Sequence, residues 1–336
     1  MQNSYFQSHD TTRVVNTYPA VLIIGPTGAG KTAFAYELAN RLPAQIINGD
    51  LGQFYAPLTW GTAKPDWKNH PVRHFLFDHL DQPVSYNVAQ FRDKVSTLIT
   101  TLHSCHQIPI IVGGSTLYMH SLIFAPIRAD TSPTSKKTFM QEDVSLDKQD
   151  WYTLQKIDPI RAQQIHPHDT YRIQRALSLW FNESILPSSN APQFSPLAPT
   201  IVVHLMYERN ALRPFLRERV KTMLTNGWFE EVQSLLETPW EQFWKEKKII
   251  GYDAVANYLR LAPSGVSSYE ALIETITQDT VAYAKKQEKY WRMLAGKIAP
   301  YVSCSKIVYV PVDLTLLSPH LYLEQLYNVI SLLKIG

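Results

Sequence analysis

A short apolar segment that runs into a glycine-rich loop constrains the fold of this chain more than any other feature. Residues 21–24 are four aliphatic side chains in a row, a pattern typical of a buried strand. The next eight residues, 25–32, match the phosphate-binding pattern G-x-x-x-x-G-K-[ST], and apolar residues then recur at helical spacing up to Leu42. Strand, loop and helix together predict a cradle of backbone N–H groups around phosphate oxygens, with the charge of Lys31 beside it and Thr32 placed to hold Mg²⁺.

Further apolar runs predict a parallel α/β sheet around this first strand. Strands are expected at 44–47, 108–112, 201–206 and 307–310, with helical patterns between several of them, for example at 88–103. Strands that alternate with helices are typical of an α/β sheet with right-handed crossovers. Beyond residue 206 the pattern is mainly helical, and helices are expected at 211–224, 228–237, 252–260, 268–294 and 316–334.

Between residues 128 and 195 the composition changes, because apolar strands give way to polar and charged residues with helical periodicity. We interpret 128–195 as a helical insertion into a core formed by 19–127 and 196–336; a plain extension of the core is the alternative. Residues 1–18 are polar and lack an apolar stretch, so they predict a disordered tail and not a secretory signal.

The bulk composition excludes several classes of protein. The 336 residues are 45% hydrophobic, enough for a full core, and the net charge of +3 is compatible with nucleic acid without indicating it. Cys105 and Cys304 are the two cysteines and lie far apart, which excludes a disulfide scaffold and favours a reducing, cytoplasmic setting. No apolar run reaches the length of a membrane-spanning helix, so we expect no membrane association, and nothing in the chain demands more than a monomer.

Two residues at predicted strand ends are candidates for chemistry. Asp50 follows the second strand, where an open α/β sheet binds its ligand; it would accept a proton, help to hold Mg²⁺, or simply cap a turn. Ser115 follows Gly113 and Gly114 and would either face the same crevice or cap the next helix. No acidic residue ends the 108–112 strand, which argues against a motor-type ATPase and for a small-molecule or group-transfer enzyme.

Clusters of basic residues outside the phosphate loop favour a large anionic partner. The three clusters are Arg172 with Arg175; Lys285, Lys289 and Arg292; and Arg213, Arg217, Arg219 and Lys221. In the second cluster the basic residues alternate with Tyr283 and Tyr290, an arrangement that suits the phosphates and stacked bases of RNA. Solvated helix faces are the alternative for each cluster alone, but three together favour RNA. The histidines and cysteines form no ligand set with metal spacing.

Many of these residues belong to motifs that occur together in a definite order. The motifs are Gly25-Pro26-Thr27 with Gly30-Lys31-Thr32; Asp50 with Gln53 and Tyr55; Gly61-Thr62-Ala63-Lys64-Pro65; Gly113-Gly114 with Leu117-Tyr118; Asp158-Pro159; the segment 166–177; Arg219-Val220 with Met223, Gly227 and Glu231-Val232; Gly251-Tyr252; and Tyr283-Ala284-Lys285-Lys286-Gln287. In order and spacing they resemble the bacterial tRNA dimethylallyltransferases (tRNA isopentenyltransferases, the IPP transferase family). The resemblance covers residues 20–295, and the Gly-Thr-Ala-Lys-Pro and Arg-Ile-Gln-Arg-Ala-Leu blocks are its most specific parts.

The resemblance implies both a fold and a reaction. The fold would be an α/β, P-loop NTPase-like parallel sheet flanked by helices, with the helical insertion closing over the tRNA anticodon stem-loop and a mainly helical C-terminal part. The reaction would move a dimethylallyl group from dimethylallyl diphosphate to N6 of the adenosine 3′ to the anticodon, tRNA position 37. Asp50 would deprotonate the attacking amine, Ser115 would supply the hydroxyl for which the family usually has Thr, and Lys31 with Mg²⁺ would neutralise the leaving diphosphate.

Individual binding residues follow from the same resemblance. It implies that the diphosphate is bound by Gly25, Pro26, Thr27, Gly28, Ala29, Gly30, Lys31 and Thr32. It implies that tRNA is bound by Asp50, Leu51, Gly52, Gln53, Ser115, Lys137, Tyr171, Arg172, Ile173, Gln174, Arg175, Arg219, Lys285 and Lys289. The sequence departs from the family pattern at Gly28-Ala29, Leu51, Val281 and Lys289-Tyr290. Because Asp50, Lys31 and Thr32 are retained, we expect an active enzyme.

Proteins with other functions contain the same kind of phosphate loop. An isopentenyltransferase for free adenine nucleotides would have the same core, but it would not require the insertion and the long basic helical half. A P-loop kinase of small metabolites and an RNA-binding module without activity are further alternatives.

Overall fold

The computed structural model describes residues 18–125, 150–190, 192–261, 268–302, 306–315 and 319–333. Four sequence predictions fall at least in part outside the described residues. They are the disordered tail, of which only residue 18 is described, the tRNA contact Lys137, the 128–149 part of the predicted insertion, and both ends of the predicted helix 316–334.

The central feature of the fold is a parallel β-sheet. The described strands are β1 (Ala20–Ile24), β2 (Ala44–Asn48), β3 (His74–Phe75), β4 (Ile108–Val112), β5 (Phe124–Ala125), β6 (Gln193–Phe194), β7 (Thr200–Met206) and β8 (Ile307–Asp313). Six of them form one sheet in the order β3-β2-β4-β1-β7-β8, and every neighbouring pair in it is parallel. The predicted α/β class is therefore confirmed.

Helices cover this sheet and make up most of the C-terminal half. The described α-helices are α1 (Lys31–Ala39), α2 (Val88–Ser104), α3 (Thr116–Ser121), α4 (Trp151–Ile157), α5 (Pro159–Gln163), α6 (Thr170–Glu183), α7 (Arg209–Met223), α8 (Phe229–Leu235), α9 (Pro239–Lys247), α10 (Tyr252–Leu261), α11 (Tyr269–Val302) and α12 (Pro319–Leu333). A π-helical turn at Leu224–Trp228 joins α7 to α8 and bends at Gly227, where φ is +134°. Within the described ranges, none of the helices combines the length and the apolar character that a membrane crossing requires.

The core explains why the apolar runs were readable in the sequence. Strand β1 lies between β4 and β7, and none of its five residues is more than 2% exposed. A strand covered on both faces is apolar throughout, which makes it a continuous run in the sequence. Helix α1 packs Phe34 and Leu38 into the same cluster as β1, and α12 adds Leu326. The central strands and their flanking helices were therefore predicted correctly.

Several described elements differ from the sequence prediction: the short elements α3, β5 and β6 were not predicted, and three larger differences concern the main sheet and the C-terminal helices. Strand β3 was missed because its two residues pair with Ile46 and Ile47 of β2 without forming an apolar run of their own. Helix α9, which begins at the capping residue Thr238, was also missed. Helix α11 continues past the predicted end at residue 294 to Val302, because its buried stripe continues through Ile298.

Residue contacts divide the chain into two compact units, one formed by Met1–His120 with Leu197–Gly336 and the other by Ser121–Pro196. The second unit contains α4, α5 and α6 and has its own small core of Leu154, Ala162, Ile165, Ile173, Ala176 and Leu177. The indole N–H of Trp151 donates to the carbonyl oxygens of Ala162 and Ile165, both at 3.0 Å. Strands β5 and β6 pair antiparallel within this unit. The described part of the predicted insertion lies inside it.

Candidate active site

Three loops meet at the carboxyl edge of the sheet, where open α/β sheets bind their ligands. The phosphate loop follows β1, Asp50 lies two residues beyond β2, and Gly113–Ser115 follow β4. A Cβ atom on Gly113 would lie 2.2 Å from the carbonyl carbon of Gly49, so glycine is required for this approach of two loops. The backbone N–H of Gly49 also donates to the Val112 carbonyl at 2.8 Å.

The phosphate loop has the conformation that its glycines permit. Gly25 has a φ of +151°, and a Cβ there would lie 2.4 Å from the carbonyl oxygen of Leu205. The ammonium of Lys31 donates to the Pro26 carbonyl at 2.8 Å across the loop. Burial lowers the pKa of Lys31 to about 8; the negative charge of Asp50 opposes this shift and the positive charge of Arg219 adds to it.

A polar cavity of about 330 Å³ lies over this loop. Its lining includes the predicted loop residues Thr27, Gly28, Gly30, Lys31 and Thr32, together with Asp50, Gln53, Thr62 and Arg219. Helix α1 begins at Lys31, so its N-terminus adds free N–H groups at this position. The cavity therefore presents cationic side chains and N–H donors, which suits an anion.

Asp50 is held rigidly at the edge of the polar cavity. Its backbone N–H donates to the side-chain oxygen of Asn48 at 2.8 Å, and the Asn48 amide donates to the carbonyl oxygens of Asp50 and Leu76. Burial raises the pKa of the Asp50 carboxyl, whereas Lys31, Arg219 and the backbone N–H groups of Gly52 and Gly114 act to lower it. The result is a carboxylate with raised proton affinity that its surroundings still stabilise in the ionised form.

A second cavity of about 280 Å³ begins at Asp50 and is largely apolar. Its walls include Tyr55, Leu216, Val220, Met223, Trp228, Phe243, Ile249, Ile250 and Ile276. It shares Thr27, Asp50, Thr62, Leu216 and Arg219 with the polar cavity. Leu51, Gly52 and Ser115, all predicted site residues, line it as well. A charged cavity and an apolar cavity thus meet at one carboxylate.

Arg219 lies beside the phosphate loop and not on an outer basic surface. Its guanidinium donates to the Thr27 hydroxyl at 3.4 Å, and burial lowers its pKa while Asp50 raises it. The predicted cluster of Arg213, Arg217, Arg219 and Lys221 therefore does not form a single surface for RNA. Arg213 pairs with Glu274, Arg217 with Glu270 and Lys221 with Glu218, so these three charges are balanced within the protein.

Gln53 and Ser115 occupy defined positions near Asp50. The Gln53 amide nitrogen donates to the carbonyl oxygens of Thr62 (3.1 Å) and Ala63 (3.3 Å). Because both partners can only accept, the amide orientation is fixed and its oxygen remains the group that can accept from a ligand. The Ser115 hydroxyl accepts from the Leu51 N–H at 2.8 Å. Gln53 borders the polar cavity and Ser115 the apolar one.

The predicted RNA contacts on α6 divide into two groups. Tyr171, Arg172, Gln174 and Arg175 are exposed on this helix, and Tyr171 is 77% exposed. Ile173, in contrast, is 2% exposed and belongs to the core of its unit, so the prediction that its side chain contacts tRNA is corrected. The physical reason is the helical period, which turns Ile173 away from the face that its neighbours share.

Lys285 and Lys289 are exposed on α11, one turn apart. They border a surface depression of about 380 Å³ together with Lys286, Glu288 and Arg292. The depression is predominantly basic, which is the arrangement expected from their spacing in the sequence.

Sequence reasoning assigned no role to three residues that hold the site loops, although Glu231 and Gln287 belong to motifs of the resemblance. Asn48 positions Asp50 as described above. The Glu231 carboxylate accepts from the backbone N–H groups of Thr59 (2.8 Å), Trp60 (2.6 Å) and Gly61 (3.2 Å) and from the Tyr252 hydroxyl (2.6 Å). Gln287 is 1% exposed and bonds to Thr27 and Gly114. Gln287 falls on the buried stripe of α11 with Ala284, Trp291 and Leu294, and an amide at such a position needs partners, which is a usable signal.

The fold and the two cavities define a phosphate-loop transferase. The family model described as IPP transferase matches residues 53–293. A tRNA dimethylallyltransferase of Syntrophobacter fumaroxidans is 34% identical over 284 residues, which cover 82% of this chain and 81% of the relative. One of Staphylococcus haemolyticus is 32% identical over 282 residues, covering 81% and 83%. The chain belongs to the IPP transferase family.

Solved structures agree with this family. The tRNA isopentenylpyrophosphate transferase of Bacillus halodurans is similar with a TM-score of 0.61 and 26% identity, over 94% of this chain and 97% of that chain. A eukaryotic dimethylallyltransferase acting on tRNA is similar with a TM-score of 0.69 and 25% identity, over 90% of this chain and 75% of that chain.

Proposed function

We propose that this protein transfers a dimethylallyl group from dimethylallyl diphosphate to N6 of adenosine 37 in tRNA. The observation that carries the proposal is the junction of the two cavities at Asp50, one polar and cationic, the other apolar. A donor with an anionic head and a branched hydrocarbon chain has the same two-part chemistry. The relatives named as tRNA dimethylallyltransferases support the same reaction.

The polar cavity would hold the leaving diphosphate. Loop N–H groups, Lys31 and Arg219 neutralise the negative charge that grows as the allylic C–O bond breaks. The hydroxyl of Thr32 lines the same cavity, and an oxygen donor of this kind fits Mg²⁺, which takes its other ligands from phosphate and water. Bound there, Mg²⁺ would supply further positive charge to the leaving group.

Asp50 would act as the general base. A bond forms between N6 of the adenosine and C1 of the allyl group, the C1–O bond breaks, and the diphosphate leaves with the electron pair. The N6 proton passes to the Asp50 carboxylate, whose raised pKa favours its acceptance. The amide oxygen of Gln53 would accept from the same exocyclic amine, which favours adenine over a base with a carbonyl at that position.

The tRNA would be bound by exposed residues on two helices, Tyr171, Arg172, Gln174 and Arg175 on α6 and Lys285 and Lys289 on α11. Cationic and aromatic side chains suit phosphates and unstacked bases. We place the enzyme in the cytoplasm, with its tRNA substrate. We also propose that it acts as a monomer.

The direct test is incubation with dimethylallyl diphosphate, Mg²⁺ and an unmodified anticodon stem-loop that carries consecutive adenosines. We expect a mass gain of one dimethylallyl group on the RNA, located at N6 after digestion to nucleosides. Transfer to free AMP but not to RNA would replace this proposal with a nucleotide isopentenyltransferase. ATP-dependent phosphorylation of a small acceptor, without prenyl transfer, would replace it with a kinase.

A further inference from the structure

We propose that Gln287 is a positioning residue that sets the distance between the phosphate loop and the Gly113–Ser115 loop, and so aligns Asp50 between leaving group and attacking amine. The inference rests on the proposed prenyl transfer for its assay. It assigns a task to a residue of α11 that lines neither cavity itself but bonds to residues beside them.

The geometry is that of a single amide bridging two loops. The Gln287 side-chain oxygen accepts from the Thr27 backbone N–H at 2.8 Å, and its nitrogen donates to the Gly114 carbonyl at 2.8 Å. A backbone N–H can only donate and a carbonyl can only accept, so the amide orientation is determined by its partners. Gln287 is 1% exposed, so the bridge is shielded from bulk solvent.

The two bridged residues are connected to the side chains that line the cavities. Thr27 lines both cavities and bonds to Arg219. Gly114 lies next to Ser115, whose hydroxyl accepts from the N–H of Leu51, the residue that follows Asp50. The backbone N–H of Gly114 also stabilises the Asp50 carboxylate. A shift of the Gly114 peptide would therefore move a hydrogen-bond donor of the base and its neighbouring hydroxyl together.

The surroundings keep the bridge in place. A Cβ on Gly114 would lie 2.5 Å from the Gln287 amide nitrogen, so the loop packs directly on the amide. Ala284, one turn before Gln287, packs with Leu212 and Leu216 of α7. Glu288 accepts from Arg292 at 2.8 Å and lies 3.8 Å from the ring of His204 on β7, which fixes the rotation of the helix.

The chemistry of the side chain matters as well as its size. Glutamine supplies one acceptor and one donor on adjacent atoms, which the two loops require. Leucine has a similar volume and neither group. Asparagine keeps the amide but is shorter by one methylene, so it cannot reach both loops at hydrogen-bond distance.

The experiment compares prenyl transfer by the wild type, Gln287→Leu, Gln287→Asn and a control, Thr277→Val. Thr277 is a fully buried polar residue of the same helix whose hydroxyl donates to the Ile273 carbonyl at 2.7 Å, within its own helix. We expect kcat to fall roughly ten- to a hundredfold in both Gln287 variants, because a misplacement of about 1 Å has an effect of this size. KM for the stem-loop and the thermal midpoint should change no more than in Thr277→Val.

A double-mutant comparison distinguishes a positioning role of Gln287 from a general loss of structural integrity. If Gln287 acts through the loop of Ser115, the losses of kcat in Gln287→Leu and Ser115→Ala should combine to less than their product. Any of four results would overturn the inference. They are a wild-type kcat in either Gln287 variant, a loss of kcat no larger than in Thr277→Val, an effect confined to KM, and fully multiplicative losses of kcat in the double variant. Absence of transfer by the wild type would instead overturn the proposed function, which keeps the two failures distinguishable.

Discussion

At the scale of single residues, Asp50 combines burial with a cationic environment. Burial raises its pKa, while Lys31, Arg219 and two backbone N–H groups lower it. These opposing influences suit a base that must be ionised before the reaction and must hold a proton after it.

We expect Asp50→Asn to lower kcat by roughly 10²- to 10⁴-fold, because the side chain keeps its shape and loses its capacity to accept the N6 proton. Single-turnover transfer to the stem-loop would measure the loss, and gel-shift binding of the same RNA should remain close to wild type. Lys31→Ala should likewise remove turnover while RNA binding persists. Asp81→Asn, at an exposed acid outside the site, is the control. A wild-type rate in Asp50→Asn would show that another group accepts the proton.

A buried histidine predicts acid sensitivity of the fold. His120 on α3 is 5% exposed, and burial, with a smaller contribution from Lys297, lowers its pKa to about 4. The unfolded chain takes up this proton near pH 6.5, so it binds more protons than the folded chain between pH 6.5 and 4. The free energy of unfolding should therefore fall as the pH decreases through this window, by up to about 3 kcal/mol.

Urea unfolding at pH 7 and pH 4.5 measures this effect. His120→Asn should lose much of the difference between the two pH values. His106→Asn, at an exposed histidine with a φ of +56°, should keep it, because asparagine tolerates that conformation. Equal pH dependence in wild type and His120→Asn would assign the acid sensitivity to other groups.

At the scale of elements, one buried carboxylate organises the helical unit Ser121–Pro196. Asp158 is 1% exposed; one oxygen accepts from the Arg161 N–H at the start of α5 (3.0 Å) and the other from the Ser188 N–H (2.6 Å). It therefore joins the start of a helix to a loop 30 residues later.

We expect Asp158→Ala to destabilise this unit by about 2–3 kcal/mol, because two N–H groups lose a charged acceptor. Amide hydrogen exchange, followed separately in each unit, would show faster exchange within the described residues 150–190. Asp150→Ala is the matched control, since Asp150 is the exposed cap of α4 and accepts from the Thr153 N–H in a similar geometry. Equal effects of the two substitutions would contradict a special role for Asp158.

Some elements were predictable and others were not, for a physical reason. Strand β1 was predicted correctly because burial on both faces gives a continuous apolar run, and helix α1 because its buried residues recur at helical spacing. Strand β3 is two residues long and forms through its pairing with β2, so no local sequence pattern predicts it. Helix α11 was found, but its last eight residues depend on contacts of a buried stripe that continues to Ile298.

At the scale of the whole molecule, the distribution of charge decides where RNA is expected to bind. Arg172 and Arg175 are exposed on α6, and the ion pair of Arg172 with Asp169 is long, at 3.4 Å. Arg213 and Arg217, which the sequence grouped with other basic residues, are paired with glutamates of α11. Paired charges contribute little to the attraction of a polyanion.

We expect the double substitution Arg172→Gln with Arg175→Gln to weaken stem-loop binding and to reduce the slope of log affinity against log salt by roughly one per lost phosphate contact. Fluorescence anisotropy across a salt series provides the measurement. Arg213→Gln with Arg217→Gln removes the same formal charge and is the control. If the control weakens binding equally, total charge and not the α6 face would account for the affinity.

The sequence by itself determined the α/β class, the phosphate loop, the position of Asp50 at a strand end and the exposed basic residues. Each depends on residues near one another in the chain, because backbone geometry and the period of burial are local properties. Three features are decided only by the tertiary structure. Arg219 lies against Thr27, the side chain of Ile173 is buried in the core of its unit, and Gln287 bridges Thr27 and Gly114. Gln287 lies 260 residues from Thr27, and partners at such distances are selected by packing, which no local pattern contains.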